Sequence, residues 1–258
     1  MESARPDHPG PSGEGAGEGS ADGGARAARR LAELLRAGAS GHEEAPARLC
    51  RACVEMLGMG GASISLSGGG TTRTVWWSSD PVAGRLAEAQ YTLGDGPCQS
   101  ALAELAPVQA ADLARSQDAL RWPLFAQQAV ELNVRAVFSL PLGSDTVAIG
   151  TLDLYREAPG PLSAADTAFA VSAADAITTS LLVLQTDAAQ SGAPPSWWLS
   201  AAETDHEEVH QATGMIMIYL GLDAPTALAR LRAHAFAHGQ SVSEAALDVI
   251  AGKIDFHD

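Results

Sequence analysis

Cysteine, long apolar runs and positive charge are all scarce in this 258-residue chain. Its three cysteines, Cys50, Cys53 and Cys98, are an odd set and too few for a disulfide framework. No run of eighteen apolar residues occurs, so no membrane-spanning helix and no membrane partner is expected. The opening MESARPDHPGPSGEG has no basic stretch leading into an apolar one, so no secretory signal is expected either. These features together predict a cytoplasmic protein. Lys and Arg number 16 against 31 Asp and Glu, for a net charge of −15. A chain with that field stays soluble but does not draw in nucleic acid or an anionic membrane by net charge.

What is present is apolar content of 46%, enough to fill a core, over a length that suits one large or two ordinary domains. Residues 1–24 are the exception. Gly, Pro, Ser, Glu and Ala dominate there, and such a segment cannot bury enough surface to offset its ordering entropy, which predicts a disordered arm.

Helical spacing follows over Ala25–Ala37 and Glu43–Leu57. ASISL (62–66) and TTRTVWW (71–77) read as strands around the Gly68-Gly69-Gly70 turn. Asp80-Pro81 starts a helix through Ala89. Gly94-Asp95-Gly96-Pro97 is a turn feeding another helix, PVQAADL is a short strand and turn, and Arg121–Leu132 is helical. The clearest strands are 134–142 and 146–156, joined by Gly143-Ser144-Asp145 as an antiparallel hairpin. Ser163 caps a long helix to residue 187. This order predicts an α+β domain, an antiparallel sheet with helices on its faces.

From Asp205 the chain reads as three short helices. Asp205 with Glu208, and Ser241 with Glu244, have capping-box spacing. Asp223 precedes Ala224-Pro225, and Pro is tolerated in a first turn. Gly221 and Gly239 stand at helix stops. Apolar stripes run through Val209, Ala212, Ile216 and Leu220, through Ala224, Leu228, Leu231 and Ala235, and through Val242, Ala246, Val249 and Ile250. Three such stripes can enclose one small core.

Two family resemblances follow. LGDGPCQSAL, PVQAADL, RWPLFAQQAVELNVRAVFSLPL and GTLDLYREAPGPLSAAD resemble a GAF domain, a small sensory module. VHQATGMIM, ALARLRAHAFAHG and SVSEAALDVIAGKI resemble the ANTAR family, RNA-binding output modules of bacterial transcription antiterminators. The implied organisation is an arm (1–24), a GAF-like sensor (25–187), a linker (188–202) and an ANTAR-like three-helix bundle (203–258). The resemblance further implies a homodimer paired through helices flanking the sensor, a signal at the sensor, and hairpins in nascent RNA as partner. The resemblance names neither a ligand for the sensor nor a cofactor.

The candidate RNA contacts are Arg230, Arg232, Lys253, Gln211, Thr213, His210 and His234. Residues 203–258 hold three basic side chains against nine acidic, a balance of −6. Phosphate neutralisation supplies most non-specific affinity, so RNA recognition there must use few contacts, stacking and base-edge hydrogen bonds. Trp197-Trp198 in the linker are expected to pack on the bundle or on a second subunit, with base stacking as the alternative.

In the sensor, Gly96 and Cys98 sit where a helix N-terminus offers unpaired amides and a positive dipole end, which suit an anion or a thiolate. The alternative is a tight turn over a buried thiol. Cys50-x-x-Cys53 lacks the second pair that a four-thiolate zinc site needs and fits a helix's buried stripe. His206/His210 and His234/His238 share helix faces at a spacing of four, but HEEVH departs from HExxH and has no third ligand. No metal is expected, and no catalysis. The function expected is signal-responsive transcription antitermination. The alternatives are a protein-interaction or dimerisation regulator, and a Cys-based methionine sulfoxide reductase on the GAF fold.

Overall fold

The computed structural model describes residue 33 and residues 45–67, 73–115, 117–144, 146–191 and 206–254. The arm, all of the 25–37 helix except Glu33, the Gly68–Gly70 turn, Trp197-Trp198 and Asp205 lie outside the described residues. The described chain runs α1 (Ala45–Leu57), β1 (Gly61–Ser67), β2 (Arg73–Ser78), α2 (Pro81–Leu93), α3 (Pro97–Glu104), β3 (Val108–Ala110), α4 (Gln117–Arg121), α5 (Pro123–Glu131), β4 (Ala136–Ser144), β5 (Val147–Arg156), α6 (Ala164–Ser191), α7 (Glu207–Leu220), α8 (Ala224–Ala237) and α9 (Val242–Ile250).

Five strands form one antiparallel sheet in the order β2-β1-β5-β4-β3. Side chains alternate across it. One face carries Ala62, Ile64, Leu66, Phe138, Leu140, Leu152 and Leu154, and α1 and α6 cover it with Leu49, Cys50, Cys53, Phe169, Ala173 and Ile177. The other face carries Val137 and Tyr155 and is covered by α2, α3 and α5 through Leu86, Ala101, Phe125 and Ala129. The three-layer α+β arrangement read from the element order is the one observed.

Several boundaries move for stated reasons. The single helix expected over 121–132 is two, because Pro123 biases its predecessor away from helical angles and Trp122 takes φ −132° and ψ 68°. The helix begun at Pro81 runs past Ala89 to Leu93, and Gly94 stops it at φ +63°. Helix α6 continues to Ser191, beyond the expected linker start at 188. Residues Ala164–Thr186 of α6 are also long and apolar enough to cross a membrane, contrary to the reading of the sequence. Half of that window is buried, however, and its apolar stripe lies on the sheet, as the core helix of a folded domain does.

The C-terminal helices form a small bundle around Val209, Ile216, Leu228, Leu231, Val242 and Val249. Ser241 makes the expected capping box with Glu244, and Asp223 accepts from the Thr226 amide at 2.9 Å. Gly221 ends α7 in the left-handed region at φ +65°. Two expectations change. Ala224 is exposed and Ala227 takes its place in the core. The N-cap of α7 is His206, whose side chain makes no cap bond because its ring is engaged elsewhere, and the expected Asp205 cap falls outside the described residues.

Candidate functional site

The second sheet face is polar at its centre. Ser63, Asp153 and Ser139 are paired in one row across β1, β5 and β4. Thr151 lies two residues before Asp153, on the same face. All four are buried. Ser139 donates to one carboxylate oxygen of Asp153 at 2.5 Å and Thr151 to the other at 2.9 Å. A buried carboxylate needs such donors, since burial without them costs several kcal/mol on an order-of-magnitude scale. Beside this row lies a cavity of about 10 Å³ lined by Ser63, Ala83, Leu86, Gln90, Asp153 and Tyr155, room for about one water.

Gln90 of α2 is the cavity's adaptable member. Its Oε1 accepts the backbone N–H of Cys98 at 2.8 Å, while its buried Nε2 has no partner among the described residues. Gly96, at φ +131°, makes room for it: a Cβ there would stand 2.7 Å from Gln90 Oε1. Gly96 and Cys98 therefore hold Gln90 in place, and the helix N-terminus expected to meet a ligand already meets this side chain. Cys98 is 1% exposed. Burial pushes the Cys53 thiol up to about 12 and that of Cys50 well above its ordinary value, the neighbouring Cys53 adding to the shift of Cys50. These are core thiols.

Asp80 anchors α2 at its other end. Its carboxylate accepts the amides of Val82 and Ala83 at 2.8 and 3.0 Å, the Ser79 hydroxyl at 2.5 Å and the Tyr155 hydroxyl at 2.9 Å. Burial opposes its ionisation, but these hydrogen bonds outweigh burial and hold the carboxyl below its ordinary range.

The candidate RNA residues do not form one surface. Arg230, Gln211 and His210 are exposed. Thr213 is buried at 9%. Lys253 is exposed and paired with Asp248 at 2.8 Å. His234 stacks on His238 with centroids 4.0 Å apart, and desolvation, then the neighbouring His238, lower its pKa. Arg232 points the other way. Its guanidinium lies over the Tyr91 ring at 5.6 Å, and its buried Nε has no hydrogen-bond partner among the described residues. Desolvation lowers its pKa.

Tyr91 belongs to α2, so the bundle is docked on the sheet domain. His206 stacks on Tyr91, Val242 donates its buried amide to the Thr92 hydroxyl at 3.2 Å, and His206 Nδ1 lies 2.7 Å from the Ser243 hydroxyl. Glu88 stands 3.8 Å from His206 Nε2. No group of three or more metal-ligating side chains occurs among the described residues. The sequence reading missed Asp153, Gln90, Tyr91 and Thr92. The polar Ser139, Thr151 and Asp153 at alternate positions of otherwise apolar strands were the legible sign of the cavity. The docking contacts had none, because Thr92 and Val242 are 150 residues apart.

Residues 40–181 match the GAF domain family and residues 199–250 match the ANTAR domain family. No curated protein matches the chain. Among solved structures, the chain is similar to the GAF domain of a phosphoenolpyruvate-protein phosphotransferase from Coxiella burnetii. The two are 15% identical over 66% of this chain and 98% of that one, with a TM-score of 0.51. It is also similar to a free methionine-R-sulfoxide reductase from Neisseria meningitidis, solved with its substrate. There the identity is 17%, over 64% of this chain and 93% of that one, with a TM-score of 0.50. At these identities the likeness is one of fold.

Proposed function

The chain belongs to the GAF domain family and ends in an ANTAR domain, and from that premise we propose that it is a signal-responsive transcription antitermination regulator that binds hairpins in nascent RNA. A sensor domain joined to an RNA-binding antitermination domain is an architecture typical of non-enzymatic regulators. The observation that carries the reading is that the ANTAR match, 199–250, covers α7, α8 and α9. The exposed Arg230, Gln211 and His210 are the contacts available to RNA in this arrangement. Lys253 would exchange Asp248 for a phosphate.

The signal is a small polar molecule at the cavity beside Asp153. Gln90 Nε2 supplies a donor and the Asp153 carboxylate an acceptor, so a ligand carrying both an acceptor and a donor fits best. The protein works in the cytoplasm, and two copies pair through α6, where Leu182 and Val183 are exposed at 47% and 39%. One second reading has support. Ile218 and Tyr219 on α7, 85% and 66% exposed on an acidic bundle, suit a protein partner.

Hairpin RNA titrated into the full chain over a range of salt separates the two. RNA binding predicts a salt slope of about −0.7 per phosphate contacted on single-stranded regions, and weaker binding on Arg230→Ala. No hairpin binding at low salt, by the wild type or by Gly94→Ala and Thr92→Val, would sink the antitermination reading in favour of a protein partner.

A further inference from the structure

Helix α2 presents two working faces. Ala83, Leu86 and Gln90 share one side and line the cavity. Glu88, Tyr91 and Thr92 lie on another side and face the bundle. At 3.6 residues per turn these sets lie roughly 160° apart, on nearly opposite sides of the helix. The cavity holds about one water, so any larger occupant must move α2 or the sheet beneath it.

The α2 side of this contact is built from groups that a separate domain would not leave exposed. Tyr91 is buried with the bundle's own core, 3% exposed. Thr92 accepts the first amide of α9, one of the donors a helix N-terminus leaves unpaired. Gly94 lets Arg232 lie directly on the backbone: a Cβ at Gly94 would stand 2.6 Å from Arg232 Nη1 and 2.9 Å from Cζ. Arg232 gains only ring contact for its charge. No carboxylate pairs with it among the described residues, and its Nε is buried without an acceptor. Arg232 as a whole is half-buried, and taking its Nε out of water without an acceptor is unfavourable. The docked state is thus held by Tyr91 and Thr92 against a charge that would be better placed elsewhere.

We propose that α2 is an autoinhibitory latch, which docks the bundle and withholds Arg232 from anionic partners until α2 shifts. The consequence for RNA rests on the function proposed above; the docking itself does not. A phosphate offers the withheld guanidinium the charged acceptors that the docked state lacks. Arg230, two positions along α8, is exposed in the same state and serves as internal reference.

The test uses the full chain and the arginine reagent phenylglyoxal, with modification of Arg232 and Arg230 read by peptide mass spectrometry. In the wild type Arg232 reacts far more slowly than Arg230. Gly94→Ala pushes a methyl into the guanidinium and Thr92→Val removes the acceptor of the Val242 amide. Each raises the Arg232 rate roughly tenfold, within the 5–150-fold range of ordinary coupling. Gly58→Ala is the control: the same left-handed strain at φ +61° with nothing within 4 Å of the new methyl, and Arg232 stays protected. Arg232 reacting as fast as Arg230 in the wild type, or equally protected in both latch variants, overturns the latch.

The same proteins are then titrated with hairpin RNA. The latch predicts roughly tenfold tighter binding by Gly94→Ala and Thr92→Val, lost again when Arg232→Ala is added. Equal affinity in wild type and latch variants overturns autoinhibition. Released Arg232 with no hairpin binding in any variant supports the docking and defeats the RNA reading alone.

Discussion

Tyr91 of the sensor stacks on His206 of the C-terminal bundle, ring centroids 3.9 Å apart and planes 13° from parallel. The stack joins two units that sequence matching treats as separate, since Tyr91 lies in the GAF match and His206 in the ANTAR match. Tyr91→Ala removes a buried ring from the bundle's core and leaves a cavity. Large aromatic truncations cost about 3–5 kcal/mol, so the bundle should lose about 3 kcal/mol while the sheet keeps its stability. Hydrogen exchange resolved by segment in urea checks this. An unchanged α7–α9 would show that the bundle holds itself together without the sensor.

Asp80 joins the start of α2 to the sheet, capping two amides and accepting the Tyr155 hydroxyl. Asp80→Ala should destabilise the chain by about 1–2 kcal/mol, the upper part of the usual N-cap range. Its folded pKa is depressed, so the stabilisation is present above the ordinary aspartate range and is lost as pH falls through the folded value. Urea unfolding of wild type and variant should therefore differ fully at pH 7 and converge below about pH 4. A gap that persisted in acid would assign the effect to packing instead of charge.

Glu88 behaves in the opposite sense. Burial raises its pKa, and the nearby Glu208 and Glu244 raise it further, against a lowering by the Thr92 hydroxyl. The groups facing it are Thr92, Glu208, Glu244 and His206. A carboxyl with a raised folded pKa contributes stability below its unfolded pKa, and that contribution is lost as pH rises through the folded value. Glu88→Gln should therefore strengthen docking at neutral pH and flatten its dependence on pH above the ordinary glutamate range. Phenylglyoxal protection of Arg232 is the readout, and a variant less protected than wild type at pH 7 would show that the Glu88 charge aids docking.

The parts of this molecule that were legible in the sequence are those whose signal is local. The Ser241–Glu244 box, the Asp223 cap, the stop at Gly221 and the β4–β5 hairpin each declare themselves within a few residues. Trp122 shows a local signal with two readings, since Pro123 fits the first turn of a helix as well as the 121–132 helical spacing. Arg232 shows the other limit. Two positions apart, it and Arg230 diverge around α8, and which of them faces the sensor depends on Tyr91 and Gly94, more than a hundred positions away. The cavity lies between these cases. By sequence Asp153 is one polar residue in an apolar strand, and only the pairing of β1 and β4 with β5 sets Ser63 and Ser139 beside it.

The thiols offer a test between a regulator and a redox enzyme. Catalysis by cysteine needs a thiolate that solvent and substrate can reach. Burial pushes Cys53 up to about 12 and Cys50 well above the ordinary value, and Cys98 is 1% exposed under Gln90. At pH 8 a disulfide reagent should therefore label none of the three in the folded chain on the timescale that labels an exposed thiol. The labelling rate should rise with urea in step with global unfolding. Cys98→Ser should leave hairpin binding unchanged, since its amide and not its thiol is what Gln90 holds. Rapid labelling of Cys98 in the folded chain, together with reduction of free methionine sulfoxide that this substitution abolishes, would favour the enzyme reading over the regulator.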